Sequence, residues 1–127
     1  MPAKVLVCDN EEVLRRLVRA ALDGSAYEIA EARDGDESVE LARRLEPDLI
    51  VLDIMMPGRS GVDVLGELRR DPRFRETPVV MLTARAQAAD REAASRAGAD
   101  YFLAKPFSPK QLASVVEGFL DGPPTPP

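Results

Sequence analysis

Apolar residues fall along this chain in two alternating rhythms. Short runs rich in Val, Leu and Ile stand between longer stretches whose apolar positions recur every third or fourth residue. Lys4–Cys8 reads as a first strand. Residues 11–23 read as a helix with Val13, Leu14, Leu17, Val18, Ala21 and Leu22 on one face, stopped by Gly24. Tyr27–Glu31 alternates like a half-exposed second strand. Gly35–Glu46 is helical through Ser38, Leu41, Ala42 and Leu45, and Pro47 ends it. Asp48–Leu52 is a short apolar run between a proline and Asp53, as expected of a strand buried on both faces. A turn through Met55-Met56-Pro57-Gly58 leads to a helix over Gly61–Asp71, carried by Val62, Val64, Leu65 and Leu68 and stopped by Pro72. Pro78–Leu82 is a fourth strand ending at Thr83-Ala84. Ala86–Ala97 is an Ala-rich helix closed by Gly98. Tyr101–Ala104 is a fifth strand ending at Lys105-Pro106. Ser108-Pro109 then supplies an N-cap and a first-turn proline for a helix reaching about Asp121 through Leu112, Val115, Val116, Phe119 and Leu120. Residues 1–121 form one domain on this reading. Gly122–Pro127 is a Pro-rich tail or the start of a linker.

Five strands alternating with five helices imply an α/β fold, a parallel sheet with helices on both faces. Such sheets bind ligands at the carboxyl ends of their strands, where strand order reverses. The residues just past each strand are Asp9-Asn10, Glu31, Asp53, Thr83 and Lys105. All but Glu31 suit phosphoryl or metal chemistry.

Composition narrows the chemistry. The chain has 127 residues, 45% of them hydrophobic, enough for one domain with a proper core. A net charge of −5 argues against direct binding to nucleic acid or membrane, and no apolar run is long enough to span a bilayer. The single cysteine, Cys8, forms no internal disulfide, which fits a reducing, cytoplasmic setting. There is no histidine, so His-based zinc sites, Ser-His-Asp triads and a histidine base are excluded. Arginine supplies all but three of the 17 basic residues, which makes Lys105 stand out as a chosen point charge.

Asp9 and Asp53 are expected on neighbouring strand ends. Two close carboxylates repel, and a hard divalent cation relieves the repulsion. Magnesium fits a site with few protein oxygens, several waters and a phosphate. Thr83 offers a hydroxyl and Lys105 an ammonium. Together these groups suffice for Asp53 to accept a phosphoryl group, a reaction dominated by positioning and charge stabilisation. Each residue also has an ordinary role: Asp9 as a helix N-cap, Thr83 as a cap, Lys105 as a solvated charge, Met55 and Phe102 as packing, and Cys8 as a small buried hydrophobe.

The segments VLVCDNEE, DLIVLDIMMPGRSG, VVMLTA and GADYFLAKPFSP resemble, in that order, the motifs of the receiver domain of two-component response regulators, over residues 4–121. The resemblance implies a flavodoxin-like (βα)5 three-layer sandwich with strand order 2-1-3-4-5. It implies Asp53 as phosphoacceptor, with Thr83 and Lys105 on the phosphoryl group. It implies magnesium held by Asp9, Asn10, Asp53 and the Met55 carbonyl, and a cis Lys105-Pro106 bond. The implied donor is a phosphohistidine on a sensor histidine kinase or a histidine phosphotransfer protein. An output domain or downstream effector would read the signal, from a monomer or a weak phosphorylation-dependent dimer. Such a domain is no conventional enzyme, though it catalyses its own phosphotransfer and autodephosphorylation. Two positions depart from the family pattern: Asn10 stands where a second acid is usual, and the switch aromatic is Phe102, without a hydroxyl. Asn10 leaves an alternative, a degenerate receiver that binds a partner without phosphorylation. Arg91 and Asp100 are expected to pair on the face of the fourth helix and fifth strand, as a surface ion pair. Other phosphate-handling classes fit poorly. Met55 stands where a haloacid-dehalogenase-type hydrolase needs an acid, GxxxxGK[ST] is absent, and DNEEV is too acidic for a flavodoxin phosphate loop.

Overall fold

The structure is a computed structural model that describes residues 2–22, 27–84 and 88–120. Its elements alternate as β1 (Ala3–Cys8), α1 (Glu12–Ala21), β2 (Tyr27–Ala32), α2 (Gly35–Leu45), β3 (Leu49–Asp53), α3 (Gly61–Arg70), a 3-10 turn at Pro72–Phe74, β4 (Val79–Thr83), α4 (Ala88–Ala97), β5 (Tyr101–Ala104) and α5 (Pro109–Leu120). The expected stop at Gly24, the start of the fourth helix at Ala86 and the tail at 122–127 lie outside the described residues.

All strand pairs are parallel, and the sheet order is β2-β1-β3-β4-β5. The period-two alternation of side chains splits the sheet into two cores. Leu6, Cys8, Ile50, Leu52 and Met81 pack with Val39, Ala42, Val64, Leu65, Leu68 and Ala94 from α2, α3 and α4. Val5, Val7, Leu49, Val51, Val80, Leu82 and Leu103 pack with Val18, Leu22, Leu112 and Val116 on the α1 and α5 side. Three layers result, with the central strands β3 and β4 buried throughout, which explains their unbroken apolar runs.

Local signals set the helix starts. The Asp34 carboxylate accepts the Glu37 N–H at 2.8 Å, and Ser60 Oγ accepts the Asp63 N–H at 3.1 Å. Ser108 and Gln111 form a reciprocal capping pair before α5. Two apolar helix positions expected from sequence are not buried: Phe119 of α5 is 38% exposed, and the larger departure is Val13, which is 78% exposed. It lies five residues before the fully buried Val18, which at about 100° per residue places it about 140° round the helix from the core. Arg15 occupies the buried face instead.

The chain leaves β1 for the β2 edge and later returns on the other side of β1 to make β3, so strand order reverses between β1 and β3. The crevice at the carboxyl ends of these two strands is where such a sheet places a ligand.

Candidate functional site

Asp9, Asp53 and Lys105 meet at this crevice from strand ends, and Thr83 ends β4, the next strand over. Their backbone is held as part of the sheet. The Asp9 N–H donates to Ala32 O at 3.1 Å, the Ile54 N–H to Leu82 O at 3.1 Å, and the Lys105 N–H to Thr83 O at 2.8 Å. Each loop therefore begins one rung beyond its strand, and the site residues inherit the rigidity of the ladder. The peptide bond between Lys105 and Pro106 is cis.

Lys105 Nζ lies 3.1 Å from Asp53 Oδ2 and 3.3 Å from Asp9 Oδ2. Asp9 is fully buried and Asp53 nearly so. Asp9 Oδ1 also accepts the Glu11 N–H at 2.9 Å, and Asp53 Oδ1 accepts the Met55 N–H at 3.2 Å. Two carboxylates thus share one ammonium. Burial, reinforced by the negative charge of Asp9, pushes the Asp53 carboxyl up to about 6 against the pull of Lys105 and the Met55 N–H. Burial also works against the charge of Lys105, but Asp53 and Asp9 outweigh it and hold the ammonium above its ordinary pKa.

Such surplus negative charge, presented as hard oxygens converging on one point, is the chemistry of a small divalent cation site. The side chains of Asp9 and Asp53, the exposed Asn10 and the Met55 carbonyl provide the oxygens that could hold magnesium. Among the described residues no cluster of three or more Asp, Glu, His or Cys forms a metal cage, so a magnesium ion held here would take waters in its remaining positions. Magnesium tolerates that. Thr83 is buried at the end of β4, and its hydroxyl donates to Ala84 O at 3.2 Å.

The β3–α3 loop fits this site through Gly61. A Cβ there would collide with the Asp53 carbonyl oxygen and come within 2.9 Å of Ile54 Cα. Only glycine lets the loop fold back so closely, its N–H donating to Ile54 O at 2.8 Å. Gly58, with φ of 78°, makes the turn before it.

Three residues around the site were not singled out from sequence. Gly61 is one. The others are Arg15 and Glu31. Arg15 is buried, and its Nη1 donates to the Asp9 carbonyl oxygen at 2.9 Å while its Nε pairs with Glu31 Oε1 at 3.0 Å. Arg19 binds the second Glu31 oxygen at 2.8 Å. Burial raises the Glu31 pKa, but Arg19 and Arg15 together hold it below the ordinary carboxylate value. The signal was a cation on the apolar face of α1 and an acid at a strand end that suited no phosphoryl chemistry.

Cys8, next to Asp9, is buried in the core, and burial pushes its thiol up to about 12. Phe102 is half-buried, with the Arg91 guanidinium 5.0 Å from its ring centroid. The expected Arg91–Asp100 pair does not form. Arg91 stacks on Phe102, and Asp100 pairs with Arg69 at 2.9 Å.

The family model for the response regulator receiver domain matches residues 5–117. The chain is 40% identical over 117 residues to the transcriptional regulatory protein ResD of Bacillus subtilis, a match covering 92% of this chain and 48% of ResD. It is 38% identical over 120 residues to the phosphate regulon transcriptional regulatory protein PhoB of Escherichia coli, covering 94% of this chain and 52% of PhoB. The chain therefore spans about half the length of these curated relatives. Its fold matches the chemotaxis response regulator CheY4 of Vibrio cholerae with a TM-score of 0.88 at 30% identity, over 94% of this chain and 100% of that one. No helix among the described residues is long and apolar enough to cross a membrane.

Proposed function

The chain belongs to the response regulator receiver domain family, and on that premise we propose that it accepts a phosphoryl group on Asp53 from a phosphohistidine of a sensor histidine kinase or a histidine phosphotransfer protein. The observation that carries this reading is the convergence of the Asp9 and Asp53 carboxylates on Lys105 Nζ, at 3.3 and 3.1 Å.

In the transfer, an Asp53 oxygen forms a bond to phosphorus as the donor's phosphorus–nitrogen bond breaks, and that electron pair goes to the imidazole nitrogen. Asp53 must be ionised to attack, and a pKa near 6 leaves most of it ionised at pH 7. Lys105 then exchanges a carboxylate oxygen for a phosphoryl oxygen. The Thr83 hydroxyl, one strand over, reaches a second phosphoryl oxygen by leaving Ala84 O. Magnesium would be held by Asp9, Asn10, Asp53 and the Met55 carbonyl, and when bound it neutralises charge on the phosphoryl oxygens.

Val13 in the first turn of α1 and Met55 just past Asp53 are both large, apolar and exposed, which suits contact with a donor protein beside the site. ResD and PhoB are transcriptional regulatory proteins, and each is about twice the matched length. The part assigned to this chain is the receiving step. Output passes to a further domain or a partner protein, and the net charge of −5 favours a protein reader over direct nucleic-acid contact.

Asn10 favours a second reading, a partner-binding receiver that takes up no phosphate, because it removes one negative charge from the metal side of the site. Incubation with acetyl phosphate and magnesium, followed by intact mass, separates the two. Wild type is expected to gain one phosphoryl group and Asp53→Asn none. An equal gain in both sinks the Asp53 assignment. No gain in a folded, magnesium-binding wild type favours the second reading.

A further inference from the structure

We propose that Arg15 and Glu31 are positioning residues that set the plane of the Asp9–Asn10 peptide and thereby the magnesium affinity of the site, an inference that rests on the magnesium reading above. Asp9 and Asn10 are the candidate ligands that follow β1, and the peptide joining them fixes how their side chains lie relative to one another. That peptide is suspended from β2. On the amino side of Asp9, its N–H donates to Ala32 O at 3.1 Å. On the carboxyl side, its C=O accepts Arg15 Nη1 at 2.9 Å, and the same guanidinium is anchored by Glu31 Oε1 at 3.0 Å. Glu31 and Ala32 are the last two residues of β2, in register with Val7 and Cys8 of β1. Both ends of Asp9 are therefore tied to the end of one strand, directly on one side and through a buried arginine on the other.

The arrangement needs a fork. Arg15 must give one N–H to a carbonyl and another to a carboxylate in fixed relative directions, which a planar guanidinium does and a lysine ammonium does not. Arg19, on the second Glu31 oxygen at 2.8 Å, fixes the carboxylate in turn. Groups that orient ligands from behind in this way typically change metal affinity by about 10- to 100-fold when removed.

The obvious rival is a through-space effect of charge, and it predicts a different pattern. If charge alone matters, removing the Arg15 cation strengthens magnesium binding, removing the Glu31 anion weakens it, and Arg15→Lys is silent. If positioning governs, Arg15→Gln, Arg15→Lys and Glu31→Gln all weaken it. The test is calorimetric titration of the phosphate-free protein with magnesium chloride, alongside amide NMR at Asp9 and Asn10 and thermal melts of each variant. Arg15→Gln and Arg15→Lys are expected to lose about tenfold in affinity and Glu31→Gln somewhat less. The Asp9 and Asn10 amide shifts should move while the β3 and β4 amides stay in place. Glu31→Asp keeps the charge but withdraws the carboxylate from Arg15 Nε by one methylene, so it is silent if charge alone matters and weakens binding if positioning governs; it serves as the deciding variant if an Arg15 replacement unfolds. Magnesium affinity unchanged or tighter in Arg15→Lys and Arg15→Gln, or a loss of melting temperature with no change in affinity, overturns the inference. A folded wild type that binds no magnesium overturns the metal reading itself and this inference with it.

Discussion

At the amino ends of the strands, aspartates are used as fasteners. Asp48 and Asp100 each sit just before a strand, and each exchanges two hydrogen bonds with the start of its neighbour. The Asp48 N–H donates to Lys4 O at 2.8 Å while Asp48 Oδ2 accepts the Lys4 N–H at 2.7 Å. The Asp100 N–H donates to Val79 O at 3.0 Å while Asp100 Oδ2 accepts the Val79 N–H at 2.8 Å. Arg69 then seals the second of these, pairing with Asp100 and donating to Phe74 O, Thr77 O and Gly98 O. At the carboxyl ends the same residue type is left short of partners, because Asp9 and Asp53 share Lys105. One edge spends its carboxylates on holding the sheet together. The other keeps negative charge in reserve, at a cost to the fold, for a ligand to relieve.

Breaking the fastened edge should have the largest effect on stability. Arg69→Ala leaves three carbonyl acceptors and Asp100 without their common donor, and a loss of about 3 kcal/mol is expected in urea unfolding. A loss below about 1 kcal/mol would erase the contrast between the edges. At the reserved edge the sign reverses. The folded pKa of Asp53, about 6, stands above its ordinary 3.8. Between those values the folded metal-free protein holds the proton more tightly than the unfolded chain, so this carboxyl costs nothing below about pH 4 and its full penalty above about pH 6. Asp53→Asn removes that penalty. The difference in stability between the variant and wild type should grow by about 2 kcal/mol in the variant's favour from pH 4 to pH 7. A flat difference across that range breaks the comparison. The smallest effect is expected at Asn10. Because the residue is exposed, Asn10→Asp should tighten magnesium by about 1 kcal/mol, roughly fivefold, and lower apo stability by a similar amount. Calorimetry and melts with and without magnesium measure both. Unchanged binding means that Asn10 does not face the metal.

Much of this was legible beforehand, for a physical reason. Strand ends in a parallel sheet share one edge, so reading Asp9, Asp53, Thr83 and Lys105 off the ends of apolar runs already gathers them. The fold class followed from alternation, while the strand order came from the family resemblance. What escaped was what a period cannot encode. Val13 looks like a core residue until the helix phase is fixed by Val18 and Leu22. Arg15 looks like surface until its partners Glu31 and the Asp9 carbonyl are in place. Asp100 was expected with Arg91, but the backbone of β4 had a prior use for it, and Arg69 comes from a helix 31 residues away in sequence. Gly61 gave no signal beyond its composition, because its reason is a backbone crossing that exists only in three dimensions.

The extra rung at the end of each strand bears on how the molecule breathes. The amides of Asp9, Ile54 and Lys105 are hydrogen-bonded onto neighbouring strands. Their exchange with solvent should follow the opening of the central sheet, the slowest and most cooperative unit of such a domain, and not local fraying. The floor of the crevice then belongs to the same unit as the core. Any conformational news generated there has to travel outward through side chains and loops, because the backbone beneath the acidic pair opens only when the sheet does.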